Sequence, residues 1–195
     1  MNKLTAERII QLLEAPTEDR RPMDRVLRKE AHVKELVTAL EMSLEKSEVS
    51  DLTKRIICYY LGERHSKRAV PALISALQNP SATVRSSAAD ALAKIGDPKA
   101  GAALYEQFIS EESIGAQHML AAALGAVGYE PAIPVLIQAL KHPNEVLRGC
   151  AAWSLGALDA KEALEPLQEA LALEMDTDSY AEEQMRDALR KITAP

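Results

Sequence analysis

Two stretches decide the fold. "VRSSAADALAKIGDPKAGAAL" runs from Val84 to Leu104, and "LRGCAAWSLGALDAKEALEPL" runs from Leu147 to Leu167. They are near copies. A third copy lies between them, "AQHMLAAALGAVGYEPA" from Ala116 to Ala132, and an earlier one precedes them, "TKRIICYYLGERHSKRA" from Thr53 to Ala69. A fifth, "AEEQMRDALRKI", begins at Ala181. One leucine marks the register: Leu61, Leu92, Leu124, Leu155 and Leu189. A near-constant period of about 31 residues is the mark of a chain that stacks one small unit upon the next.

Each unit reads as two helices. The first carries apolar residues at i, i+3, i+4 and i+7: Val33, Leu36, Val37 and Leu40; Val70, Leu73, Ile74 and Leu77; Ile133, Leu136, Ile137 and Leu140. That is the helical period. Pro71 and Pro134 fall in its first turn, where a missing N–H costs nothing, and Pro80 and Pro143 stop it. The second helix places Val84, Ala88, Ala91, Leu92 and Ile95 on one side, small enough for close helix approach. The expectation is an all-α, right-handed α-solenoid of about five helix pairs in a single domain, 1–195. Residues 1–32 form a divergent helical unit containing "LTAERIIQLLEA", with Thr5 as cap, and "PMDRVLRKEA". Residues 33–195 form the repeats. The last repeat reads as a cap, because Arg186 and Arg190 stand where earlier copies have small residues.

Composition narrows the function. Aromatics are 4% of 195 residues, which suits helices over sheet. No run of eighteen apolar residues exists to span a membrane, and the N-terminus lacks the apolar core of a secretory signal, so a cytoplasmic protein is expected. Charge is uneven: residues 51–100 carry 8 basic and 4 acidic side chains, and residues 101–195 carry 6 and 15. No uniformly basic face is available for nucleic acid, and the acidic half favours a basic partner. Cys58 and Cys150 read as small core residues rather than a disulfide or metal pair. The cluster Lys54, Arg55, Arg64, Lys67 and Arg68 is confined to one repeat and reads as a solvated turn, as does the acidic run "EALALEMDTDSYAEE".

The residues "AVPALISALQNPSATVRSSAADALAKIGDPKA" and "AIPVLIQALKHPNEVLRGCAAWSLGALDAKEA" resemble HEAT repeats, of the kind called phycobilisome-lyase HEAT-like repeats. The resemblance covers about residues 33 to 193. It implies a superhelix whose second helices line the concave side, and an Asp in the turn bonded to an Arg of the second helix. Arg85 and Arg148 match the Arg, while Asn79 and His142 stand at the Asp position, so this polar ladder is degraded. Lys54, Gln117 and Glu182 fill the Arg row elsewhere. The His-Glu dipeptides of the HEAT-like deoxyhypusine hydroxylases are absent. The acidic half does not suit the basic channel of the HEAT-like DNA glycosylases.

No phosphate loop, nucleophile elbow or H-x-x-x-H pair is found. Neither catalysis nor a cofactor or metal is expected. The function expected is a non-catalytic protein–protein scaffold binding another protein on the surface of the second helices. The alternatives are a bilin lyase-like or phycobiliprotein-associated subunit, which follows from the resemblance alone, and a nucleic-acid binder. The side of the second helix opposite its core gives the candidate site: Trp153, Tyr59, Arg55, Asp90 and His118, with Gly149 and Gly156 leaving the Trp153 ring accessible. A packing role for Trp153, folded over Ala122, competes with the binding role.

Overall fold

In the computed structural model the described residues are 4–15, 27, 32–174 and 179–194. The helix read in "PMDRVLRKEA" lies outside them except for Leu27, and so do residues 175–178 of the acidic run. Among the described residues there are eleven α-helices and no strand. They are α1 (Ala6–Glu14), α2 (Val33–Glu45), α3 (Asp51–Glu63), α4 (Val70–Ala76), α5 (Ala82–Ile95), α6 (Gly101–Ser110), α7 (Ile114–Ala126), α8 (Ile133–Ala139), α9 (Glu145–Ala157), α10 (Leu164–Leu173) and α11 (Tyr180–Thr193). After α1 they alternate as first and second helices of five pairs. Among the described residues, no helix is long and apolar enough to cross a membrane.

The chain divides into two compact units, Met1–Ile95 and Gly96–Pro195. Within the first, α1 packs on α2, α2 on α3, α4 on α5, and the second helices α3 and α5 on each other. Within the second, α6 packs on α7, α8 on α9 and α10 on α11, while α9 lies between α7 and α11. The register leucines Leu61, Leu92, Leu124 and Leu155 are wholly buried, each worth about 1.5–3 kcal/mol of transfer free energy. Leu189, in α11, is only half-buried.

The turns between pairs repeat in detail. His65, Gly96, Gly128 and Asp159 all have positive φ, between 47° and 70°, the conformation that ends helices by a left-handed residue. Each is followed by a short 3₁₀ turn: Lys67–Ala69, Pro98–Ala100, Glu130–Ala132 and Lys161–Ala163. That step swings the chain into the next first helix, with Pro71 and Pro134 in its opening turn. Ser50, Asn144 and Ser179 cap α3, α9 and α11, each side chain accepting a backbone N–H.

Candidate partner-binding face

Two edges of each pair carry polar groups: the turn between its helices, and the outward side of the second helix. At the turn, Arg85 Nη1 donates to the carbonyls of Asn79 and Pro80, at 2.9 and 2.8 Å. Arg148 Nη1 repeats this on His142 and Pro143, both at 3.0 Å. Arg148 also grips both carboxylate oxygens of Glu174, the closest at 2.8 Å. Glu174 occupies the acidic row of the following pair, so one rung of the polar ladder is complete. Asn79 Oδ1 and His142 Nδ1 instead accept the N–H two residues on, from Ser81 and Asn144 at 3.0 Å each, as turn-forming side chains do.

At Gln117 and Lys54, where the arginine is replaced, the structure has a cleft. In the second unit, a cleft of about 290 Å³ is lined by Phe108, Gln117, His142 and Leu147. In the first, one of about 520 Å³ is lined by Lys54, Asn79, Pro80 and Ser81. Lys54, buried, reaches Asp51 at 3.8 Å. The two clefts occupy equivalent places in the repeat.

The outward side of the second helices differs between the units. On α3 and α5, Lys94 lies between Glu63 and Asp90, 3.0 Å from each, with its ammonium 5.0 Å from the centre of the Tyr59 ring. Burial opposes the Lys94 charge, but hydrogen bonds to Asp90 and Glu63 outweigh it and raise its pKa. His65 Nδ1 meets the Lys94 carbonyl at 2.6 Å. This face is closed by its own ion pairs. On α9 the face is apolar, and Tyr180 at the start of α11 joins it. Val146 is 40% and Tyr180 42% exposed. A methyl placed on Gly149 would stand 2.4 Å from the Tyr180 ring, so the ring lies on the glycine. Val146 and Trp153 sit one turn to either side of Gly149 along α9. Val146, Tyr180 and the half-buried Trp153 therefore form one patch. Burial pushes the Tyr180 hydroxyl up to about 12, assisted by Cys150, whose Sγ lies 4.0 Å away, and by the Glu183 charge.

Comparison with known proteins matches the HEAT repeats family over residues 37–113 and 102–190, most of the chain. The chain belongs to the HEAT repeat family. A relative, phycocyanobilin lyase subunit alpha of Nostoc sp., is 30% identical over 141 residues, covering 66% of this chain and 51% of its own length. The chain thus spans about half of that curated relative. Among solved structures, an engineered protein superposes with TM-score 0.60 at 20% identity, covering 100% of both chains. A designed armadillo repeat protein gives 0.58 at 15%, covering 95% of this chain and 98% of that one. These two likenesses bear on the α-solenoid fold alone.

The five candidate residues fall in two HEAT units. Tyr59 and Asp90 meet through Lys94, and Arg55, exposed, stands one turn before Tyr59 on α3. Trp153 and His118, both half-buried, lie on α9 and α7, which pack on each other. The expectation that Gly149 and Gly156 leave the Trp153 ring accessible is corrected. Gly149 is covered by Tyr180, and Gly156 packs on Ala188, where an added methyl would come within 2.8 Å of the Cα. Gly62 meets Ala91 and Gly125 meets Ser154 in the same way, at 2.9 and 2.6 Å. Within each unit the glycine row is thus the contact between successive second helices, and the outward row is the one through Tyr59 and Asp90 in the first unit and through Ala122, Trp153 and Asp187 in the second. Sequence reading missed Tyr180 and Val146. Their signal was an apolar residue at the start of second helices, which recurs at Leu52, 42% exposed. Among the described residues, no group of three or more His, Cys, Asp or Glu is placed to hold a metal ion.

Proposed function

We propose that this HEAT repeat protein is a non-catalytic scaffold that binds another protein on the outward face of the second helices, with the α9–α11 patch as its anchor. The observation that carries this is the exposed pair Val146 and Tyr180 beside the half-buried Trp153, three large apolar side chains grouped on one face. Large apolar side chains left together on a surface mark interaction sites, and aromatic anchors dominate interface energies. Val146→Asp tests it. An acid in the first turn of α9 suits the helix dipole, so the variant is expected to melt like the wild type and to lose the partner that the wild-type chain captures from its host. Equal capture by both chains defeats the proposal.

A second reading rests on the Nostoc relative, whose name is phycocyanobilin lyase subunit alpha. Under it, this chain assists bilin attachment as one subunit of a lyase. Mixing the purified chain with phycocyanobilin and recording visible absorbance tests that reading: a shifted, protein-retained chromophore supports it, and free pigment after gel filtration removes it.

A further inference from the structure

The charges around the α9–α11 patch specify its partner further. Residues 96–195 carry 7 basic and 16 acidic side chains, against 16 and 13 in residues 1–95. Of the cations on α11, Arg186 is paired with Glu182 and Arg190 with Asp187, while the Lys191 side chain lies against Gly156, one turn beyond Trp153. Glu183, exposed on α11 one turn from Tyr180, makes no ion pair with a described residue, and its charge is felt at the Tyr180 hydroxyl. Glu145 accepts the backbone N–H of Tyr180, at 2.8 Å. Glu112, exposed, stands just before α7. His118 and Met119, half-buried, continue the surface onto α7. The result is an apolar centre of Val146, Tyr180 and Trp153 with an acidic border at its Glu145 and Glu183 end.

We infer that this face takes a basic amphipathic helix of a partner protein, its apolar side on Tyr180 and Trp153 and its lysines or arginines against Glu145 and Glu183. This rests on the scaffold reading and adds the chemistry of the partner. Cations on the border are favoured by its carboxylates, and an acidic segment is repelled by the same groups. An apolar stripe laid along adjacent helices is how a helix docks in a groove.

The probes are two designed eighteen-residue amphipathic helices, one of Leu and Lys and one of Leu and Glu. They are titrated into the full chain while the emission of Trp153, the only tryptophan, is followed. The Leu/Lys helix is expected to bind at least tenfold more tightly than the Leu/Glu helix and to change the Trp153 emission. Glu183→Lys is expected to weaken it about tenfold, and the milder Glu183→Gln about threefold. Glu165→Lys, which makes the same charge change at an exposed site on α10, is expected to leave the affinity within about twofold. An equal loss in Glu165→Lys would show that only the general field of the acidic unit is at work, and would overturn the site. Tighter binding of the Leu/Glu helix overturns the basic partner while leaving the scaffold reading to Val146→Asp. Binding of neither helix overturns the inference as well.

Discussion

Asp159 sits at φ 50° in a place where the equivalent turns use Gly96 and Gly128. A side chain there crowds the backbone, at a cost of about 1 kcal/mol that glycine avoids. Its ion pair with Lys161, at 2.9 Å, joins two exposed groups and contributes little. Asp159→Gly is therefore expected to raise stability by about 0.5–1 kcal/mol in thermal denaturation. His65 shares the strained conformation but holds the Lys94 carbonyl, so glycine there removes a contact together with the strain. Cys58 makes a different statement. Burial pushes its thiol up from 9.0 to about 12. The unfolded chain then loses this proton before the folded one, so the buried neutral thiol stabilises fully below pH 9. That contribution falls away as pH rises from about 9 to about 12. Stability measured across that window is expected to decline less steeply in Cys58→Ala than in the wild type, and parallel slopes would contradict the burial of the thiol.

The rung Arg148–Glu174 joins two successive pairs, and its side chains are 18% and 8% exposed. Arg148→Ala strips two carbonyls and a buried carboxylate of their donor, and about 3 kcal/mol of stability is expected to go with it in chemical denaturation; a loss below about 1 kcal/mol would reduce the rung to a surface pair. This rung also shows what was legible in the sequence. The helix pairs were plain, because Leu61, Leu92, Leu124 and Leu155 repeat with the period of the fold and are all buried. Arg148 was recognised as a ladder residue. Glu174 was read as part of a solvated acidic run, because a carboxylate's partner 26 residues away leaves no local pattern. The reading of Gly156 as leaving the Trp153 ring accessible failed for a related reason. Projecting a single helix at 100° per residue finds the side opposite the core, but a second helix here has neighbours on its flanks, and Gly62, Gly125 and Gly156 face those neighbours. Tyr180 was missed because its role depends on the glycine beneath it on another helix.

At the scale of the chain, the two HEAT units use one helical pattern to make different surfaces. The second helices of Met1–Ile95 spend their outward charges on one another through Lys94. Those of Gly96–Pro195 leave aromatic and aliphatic side chains outward beside Glu145 and Glu183. A repeat array contacts only its neighbours, so its outward rows are free to vary without disturbing the core. That freedom is why the fold was legible from period alone while the binding face depended on individual side chains. Trp153→Ala separates the two roles open to the single tryptophan, with unfolding free energy and partner capture measured on the same preparation. A binding face predicts nearly wild-type stability with an affinity loss of about 2 kcal/mol or more. A loss of about 3–5 kcal/mol in stability, with the remaining folded protein binding its partner normally, would instead make Trp153 a packing residue and contradict the binding face.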